Sequence, residues 1–259
     1  MIPSLETRDL TIRFGGHVAV DHVTCAFRPG ELTAIVGPNG AGKTTLFNLI
    51  SGQLRASTGA VLIGGRDVTS LSAPLRTRLG LGRAFQLTNL FPRLSVAENV
   101  RLAVQAAAGV HYEALKPWRA RQDLIDRADA VLDSVGLAAR RATQAAALPH
   151  GDQRKLEVAM MMALEPSIVM FDEPTAGMSL DEVPVVLDLI ARLKTDTTKT
   201  ILLVEHKMDV VRSLADRIVV LVNGQLVADG DPQTVIASAI VQEAYLGIAP
   251  GQNPQGRAA

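Results

Sequence analysis

The architecture of this chain follows from residues 31–48, which read ELTAIVGPNGAGKTTLFN. A mainly apolar run, residues 32–36, leads into a glycine-rich loop and then into a second segment rich in apolar residues. Such a run is typical of a strand that is buried on both faces of a parallel sheet. The loop, residues 37–44, matches the pattern G-x-x-x-x-G-K-[ST]. A strand, this loop and a helix in succession predict an α/β fold with a mainly parallel sheet.

The loop also predicts a binding site for a nucleoside triphosphate. Its glycines allow consecutive backbone N–H groups to converge on phosphate oxygens at the start of a helix. We expect Lys43 to reach the β and γ phosphates, Thr44 to bind Mg²⁺ and Thr45 to contact the α phosphate. The other residues of the predicted phosphate cradle are Gly37, Pro38, Asn39, Gly40, Ala41 and Gly42.

Two further apolar runs end in polar side chains, SIVMFDE at 167–173 and TILLVEH at 200–206. Ligands of open α/β sheets bind where the parallel strands end. We therefore expect Asp172 at the metal ion and Glu173 on the opposite side, orienting and polarising an attacking water. We expect His206 near the γ phosphate. Each signal is weak alone, since acidic pairs and single histidines are common after strands, but the glycine-rich loop strengthens them.

Composition limits the remaining possibilities. The chain has 259 residues, 47% of them hydrophobic, and a formal net charge of zero. No overall basic field draws it to nucleic acid or to an anionic membrane. Its single cysteine, Cys25, allows no internal disulfide. Residues 1–20 lack a secretory signal, and the apolar runs fall short of the ~20 residues that span a bilayer. We expect a chain soluble by itself, which leaves room for a membrane-embedded partner.

The rest of the chain divides by its pattern. Residues 6–14, 17–27 and 59–65 alternate polar and apolar positions between glycine pairs, which indicates antiparallel strands. Residues 95–165 have apolar spacings of three and four, which indicates a mainly helical insertion. The tail after Gly247 is rich in Pro, Gly and Gln, as in disordered chain ends.

In combination these motifs resemble the nucleotide-binding subunit of ABC transporters. They are GPNGAGKTT (37–45), the glutamine Gln86 of RAFQ, FDEPT (171–175) and the histidine of VEH, and the likeness covers roughly residues 5–247. Details such as FPRLSVAENV and EAYLG are similar to the subgroup that serves branched-chain amino acid and related urea or amide importers.

The resemblance implies a fold, a site and a set of partners. The fold is a RecA-like P-loop core with a mainly parallel sheet, an antiparallel β subdomain and an α-helical subdomain at about 90–165. It forms one domain over 1–247, followed by a flexible tail at 248–259. Two ATP molecules lie at a dimer interface, with Phe14 stacked on adenine. Gln86 is a Mg²⁺ ligand and, with Glu173 and His206, a catalytic residue.

The implied partners are transmembrane permease subunits, one of which inserts a helix at the surface after Gln86. A second ATPase subunit, identical or different, completes the dimer, and a periplasmic solute-binding protein acts indirectly. Nucleic acid is not an expected partner. The implied location is the cytoplasmic face of the inner membrane, as a peripheral subunit.

One segment departs from the family pattern. Where the family has LSGGQ, which caps the nucleotide of the opposite subunit, residues 148–152 read LPHGD. Pro149 offers neither a hydroxyl nor an N–H group, so two donors are missing. His150 and Gly151 remain as the expected contacts to the partner's ATP.

The charges around this segment differ from the family pattern as well. Asp152 reduces the pull of the helix N-terminus on an anion, and we expect Arg154 and Lys155 to restore positive charge nearby. Ser179 stands where the family has an aspartate, which affects communication between the two ATP sites.

Two alternatives to an importer subunit stay open. One is the ATPase subunit of a lipid or lipopolysaccharide exporter, which has the same compact architecture. The other is a soluble ABC ATPase in translation or DNA repair. That class carries paired cassettes, coiled-coil arms or zinc fingers, whereas this chain has one cassette, no heptad run and one cysteine.

Overall fold

A computed structural model describes residues 4–84, 90–109, 121–178, 183–239 and 241–242. The chain separates into two compact units, which we call the terminal unit (residues 1–76 and 200–259) and the central unit (residues 77–199). Strands and helices are numbered along the chain.

The terminal unit holds most of the strands. They are β1 (Leu5–Phe14), β2 (His17–Phe27), β3 (Leu32–Val36), β4 (Thr58–Ile63), β5 (Arg66–Asp67), β8 (Thr200–Val204), β9 (Arg217–Val222) and β10 (Gln225–Gly230). Its helices are α1 (Lys43–Ser51), α7 (Met208–Leu214) and α8 (Pro232–Ala237), and α2 (Ala73–Arg78) crosses the boundary between the units at residue 76.

These strands form two kinds of sheet. The alternating N-terminal strands pair antiparallel in the order β2-β1-β4-β5. Every residue of β3 is buried, and β3 lies between β8 and β9, parallel to both. β10 pairs antiparallel with β9 at the edge. A buried cluster that includes Val36, Val211 and Val220 fills the space between this sheet and α7.

A buried arginine anchors the C-terminal end of α1. Arg76 is 1% exposed. Its Nη1 atom donates to the carbonyl oxygens of Leu49 and Ile50, both at 2.7 Å. Its other nitrogens donate to Thr69 O at 2.9 Å and Leu71 O at 3.1 Å. Because its four acceptors are neutral, burial lowers the pKa of Arg76. The last carbonyls of α1, which have no partner inside the helix, are thereby satisfied.

The central unit combines two parallel strands with a group of helices. The strands are β6 (Leu81–Ala84) and β7 (Ile168–Asp172), and the helices are α3 (Val96–Ala107), α4 (Gln122–Ser134), α5 (His150–Ala163) and α6 (Val183–Lys194). α3, α4 and α5 pack on one another, and α5 also contacts β6 and α6. α3 starts with a capping box, in which Ser95 and Glu98 satisfy each other's backbone N–H groups.

The sequence predictions of fold are confirmed at the level of class. The protein is an α/β fold with parallel and antiparallel strands, and the segment expected to be helical contains α3, α4 and α5. The tail at 248–259 lies outside the described residues, and the domain bounds stay a prediction. In the part of the chain that the structure describes, no helix has both the length and the apolar character needed to cross a bilayer.

Candidate nucleotide-binding site

The glycine-rich loop between β3 and α1 passes close to two other backbone segments. A Cβ atom at Gly37 would lie 2.1 Å from the carbonyl oxygen of Leu221, and one at Gly42 would lie 2.4 Å from that of Ala19. Gly42 also has φ +94°, in the left-handed region that favours glycine. The loop can take this shape only because these two positions lack side chains.

Lys43 begins α1 and folds back over the loop. Its Nζ atom donates to Gly37 O at 2.7 Å and to Pro38 O at 3.0 Å, and the residue is 7% exposed. The ammonium group is therefore held at the mouth of the loop, where phosphate oxygens can replace the neutral carbonyls as its partners. Next to it, Thr44 is exposed and Thr45 is half-buried, so the Thr44 hydroxyl is open to a ligand.

Backbone hydrogen bonds fix the rest of the loop. Ala41 N donates to Pro38 O at 3.1 Å, and Gly224 N donates to Ala41 O at 3.1 Å. Asn39 and Gly40 lie at the exposed tip between these bonds. The loop is thus shaped within the terminal unit by its own sequence and by the turn after β9.

Phe14 is an exposed aromatic residue in the β1–β2 hairpin, which approaches this loop at Ala19. It ends β1, pairs with His17 at the start of β2 and is 50% exposed. Ala19, two residues further along β2, is the residue whose carbonyl oxygen approaches Gly42. An apolar ring with a free face beside a phosphate loop is suited to stacking on a base.

The end of β8 lies beside the end of β3, as the sequence predicted. Ile35 pairs with Val204, and His206 follows two residues later with its side chain 49% exposed. The turn is fixed by Glu205, which is fully buried and accepts hydrogen bonds from His206 N (2.8 Å) and Lys207 N (3.1 Å). Sequence reasoning missed the role of Glu205, although an acid between an apolar strand and a histidine was a visible signal.

In the central unit, Asp172 ends β7 and is 3% exposed. Its Oδ2 atom accepts a hydrogen bond from Arg83 Nη2 at 2.8 Å. Its Oδ1 atom is buried and accepts no hydrogen bond from the residues that the structure describes. A buried carboxylate oxygen and an exposed threonine hydroxyl are hard oxygen donors of the kind that Mg²⁺ prefers. The donor chemistry of Asp172 and Thr44 therefore fits this ion.

Glu173 differs from the expected geometry. The prediction that it points away from Asp172 assumed that β7 continues through both residues, but β7 ends at Asp172. Glu173 has φ +49°, the left-handed conformation, which costs a non-glycine residue ~1–2 kcal/mol. Its carbonyl oxygen accepts from Ala176 N at 3.0 Å in the turn that follows. Its direction is thus set by a strained turn rather than by strand alternation.

The LPHGD segment forms the start of α5. Pro149 precedes the first helical residue, His150, which is exposed, and Gly151 is buried. A Cβ atom at Gly177 would lie 4.0 Å from His150 Cε1, so the imidazole is near the turn after Glu173.

From the sequence we expect Arg154 and Lys155 to restore positive charge near this helix start. Each pairs with an acid of α5, and their effect on a bound anion stays a prediction. Lys155 Nζ lies 2.8 Å from Asp152 Oδ1, and Arg154 Nη1 lies 2.8 Å from Glu157 Oε2 in a buried pair. The spacing of three residues places each cation against an acid of the same helix. Two other predicted residues, Gln86 and Ser179, lie outside the described residues.

Comparison with known proteins gives one consistent family. The ABC transporter family matches residues 20–176. The chain is 38% identical over 252 residues to the high-affinity branched-chain amino acid transport ATP-binding protein LivG of Escherichia coli, covering 95% of this chain and 99% of that protein. It is 35% identical over 252 residues to the protein BraF of Pseudomonas aeruginosa, which has the same description and the same coverage, 95% and 99%.

Solved structures show the same likeness. The ADP conformation of an ATP-binding cassette of an ABC transporter matches with a TM-score of 0.82 and 26% identity, covering 96% of this chain and 100% of that chain. A nucleotide-free cassette matches with a TM-score of 0.80 and 27% identity, covering 94% and 99%. The loop that closes round Lys43 and the full-length likeness lead to one conclusion: the chain belongs to the ABC transporter family, as an ATP-binding subunit that hydrolyses ATP.

Proposed function

We propose that this chain is the ATP-hydrolysing subunit of an importer for branched-chain amino acids. The observation that carries the proposal is the phosphate loop, which already holds the Lys43 ammonium between its own carbonyl oxygens. The likeness to LivG and BraF, which extends over 95% of the chain, supports branched-chain amino acids as the transported solutes. It also favours an importer over a lipid exporter or a soluble ATPase.

The proposed nucleotide site consists of the residues singled out from the sequence. Phe14 stacks on adenine, residues 37–45 hold the phosphates, and Lys43 neutralises charge on the β and γ phosphates. Thr44, Asp172 and Gln86 would hold Mg²⁺, which would offset the negative charge of the phosphate oxygens. The buried Oδ1 atom of Asp172 and the exposed hydroxyl of Thr44 support this assignment.

Hydrolysis requires a water molecule placed in line with the γ phosphate. Glu173 orients and polarises that water, while His206 and Gln86 contact the γ phosphate region. The strained backbone of Glu173 supports a functional role, since conformations of this kind concentrate at active sites. The buried Glu205 holds the backbone of His206 and leaves its ring exposed for this contact.

The complete site needs a second ATPase subunit, because the segment at the start of α5 stands where the family caps the nucleotide of the opposite subunit. His150 and the Gly151 backbone contact ATP bound by that subunit, and the pair acts at the cytoplasmic face of the membrane with permease subunits. A solute-binding protein delivers the amino acid. The catalytic domain spans residues 1–247, with the helical subdomain at about 90–165.

The test is reconstitution of the chain with its permeases and binding protein in lipid vesicles. ATP-driven uptake of labelled leucine, isoleucine and valine is expected, with ATPase activity stimulated by the loaded binding protein. Glu173→Gln keeps shape but removes basicity, so ATP should still bind while hydrolysis and uptake fall by roughly 10²-fold or more. Hydrolysis near that of the unmodified chain would move the catalytic role to another residue. Stimulation by lipid instead of amino acid would identify an exporter.

A further inference from the structure

The ion pair between Arg83 and Asp172 is unusually well buried. Arg83 Nη2 lies 2.8 Å from Asp172 Oδ2, and the two side chains are 6% and 2% exposed. A buried ion pair contributes little net stability, because the removal of two charges from water offsets most of their attraction. Its presence at the end of β7 therefore calls for a role other than holding the fold together.

The two parallel strands place the guanidinium by their register. Arg83 pairs with Met170 in β6 and β7, and Asp172 lies two residues beyond Met170. Residues two apart in a strand project from the same face, so Arg83 and Asp172 are diagonal neighbours on one face of the pair.

Close contacts at the start of β6 prevent this register from shifting. Gly80 O accepts a hydrogen bond from Ile168 N at 2.9 Å. A Cβ atom at Gly82 would lie 2.7 Å from Pro166 Cγ, so β6 passes close to the residues before β7 at a position where only glycine fits. The position of Arg83 beside Asp172 is thus set by the pairing of β6 with β7 and not by a loop.

The arginine holds only one of the two carboxylate oxygens. Oδ2 accepts from Arg83, whereas Oδ1 is buried and accepts no hydrogen bond within the described ranges of the chain. Asp172 also lines a cavity of about 10 Å³ together with Arg154 and Glu157 of α5, which form a second buried pair at 2.8 Å. The end of β7 thus has two buried ion pairs, Arg83 with Asp172 and Arg154 with Glu157, and their net charge is zero.

We propose that Arg83 is a positioning residue for Asp172: it fixes the carboxylate through Oδ2 so that Oδ1 is presented to the Mg²⁺ that accompanies ATP. The inference rests on the proposed function, in which Asp172 serves this ion. Arginine suits the task because its planar, always charged guanidinium sets an angle as well as a distance, which the ammonium of lysine does not.

The test measures nucleotide affinity of the full chain by calorimetry, with ATP across a Mg²⁺ titration and with ATP in excess EDTA. Arg83→Met removes the charge and keeps the stem. The Mg²⁺ concentration for half-maximal tightening of ATP binding should rise by about 10- to 100-fold, the usual cost of losing an outer-shell partner. ATP affinity in EDTA should be unchanged. Arg83→Lys should recover part of the loss.

A matched control and a second background isolate the cause. Arg127 pairs with Glu165 at the same distance, 2.8 Å, but both side chains are exposed, so Arg127→Met should leave the Mg²⁺ dependence as it is. In an Asp172→Asn background, Arg83→Met should add nothing further, because the group it positions is gone.

Three results would overturn the proposal. The first is Arg83→Met with a lower melting temperature and an unchanged Mg²⁺ dependence, which would make the pair structural only. The second is a lower Mg²⁺ concentration for half-maximal tightening of ATP binding in Arg83→Met, which would mean that the arginine competes with the ion for Asp172. The third applies if Arg83→Met does not fold. In that case, a Mg²⁺ dependence of ATP binding in Arg83→Lys equal to that of the unmodified chain would overturn the proposal. Should Asp172→Asn itself leave the Mg²⁺ dependence unchanged, the proposed role of Asp172 fails instead.

Discussion

The starts of α1 and α5 are the two helix N-termini that we propose to contact phosphate, and they differ in structure. α1 begins after Gly42 in the left-handed conformation, and its first residue, Lys43, lies over the loop. α5 begins after Pro149, and its first turn contains Asp152 paired with Lys155. Both helices offer a positive dipole end. At the start of α1 the cation is held by neutral carbonyl oxygens in a loop shaped by close backbone contacts, so it can bind an anion within its own unit. At the start of α5 Lys155 is paired with an acid, which leaves a neutral start suited to a secondary contact.

The sharpest test of this difference is removal of one lysine from each helix start. Lys43→Ala should reduce turnover by at least about 10²- to 10³-fold, the usual loss when a donor to developing phosphate charge is removed. Lys155→Ala should leave ATP affinity of the isolated chain unchanged, since its ammonium is engaged by Asp152. For each variant, both ATP affinity and ATPase rate are measured. Equal losses in the two variants would contradict the distinction between the helix starts.

A charge placed at the second helix start tests which nucleotide it serves. Gly151 is buried in the first turn of α5, so Gly151→Glu adds bulk and negative charge where a triphosphate approaches. ATP affinity of the isolated variant should be normal, because the phosphate loop is intact, while ATPase activity of the assembled transporter should be lost. Circular dichroism of the variant controls for folding. Lost affinity in the isolated chain would mean that α5 serves its own subunit's nucleotide.

Two glycines of the phosphate loop distinguish conformational strain from steric exclusion. Gly40 and Gly42 both have positive φ, +80° and +94°. A Cβ atom at Gly40 has nothing within 4 Å, whereas one at Gly42 would lie 2.4 Å from Ala19 O. Both alanine variants should lose stability, and Gly42→Ala should lose about 1–3 kcal/mol more, as expected for overpacking. Urea denaturation measures the free energy of unfolding. Equal losses would show that the contact with Ala19 relaxes without cost.

The smallest effect is expected at Asp152. Asp152→Asn removes a half-buried carboxylate that favours the start of α5 and pairs with Lys155. The free energy of unfolding should fall by about 0.3–1 kcal/mol, measured by urea denaturation. The same change removes a negative charge from the surface proposed to face the partner's ATP, so activity of the assembled transporter should not fall. A drop in that activity would show that the carboxylate has a positive role in the composite site.

The sequence predicted the parts of the site that are local in the chain. The pattern from Gly37 to Thr44 is contiguous, so the strand, loop and helix could be placed from spacing alone. Apolar runs likewise located the strands that end at Asp172 and near His206. What could not be predicted depends on neighbours distant in sequence or on single backbone angles.

Three particulars illustrate that limit. Arg83 reaches Asp172 across 89 positions of sequence, and no local pattern joins them. The left-handed turn at Glu173 replaced the expected strand alternation, because alternation holds only while the strand continues. The pairing of Lys155 with Asp152 follows a known helix spacing, whereas the sequence alone predicted only that this lysine restores positive charge near the helix start.

The anchor of α1 has a consequence for ionic strength. Ions screen charges over about 10 Å at 0.1 M salt and about 3 Å at 1 M, so exposed pairs such as Arg127 with Glu165 weaken in concentrated salt. Arg76 instead meets neutral carbonyl oxygens inside the terminal unit, where mobile ions do not reach. The hydrogen bonds of Arg76 that anchor α1, the helix that carries Lys43, should therefore change little with salt concentration. The electrostatic attraction between the phosphate loop and a charged nucleotide should weaken as salt rises.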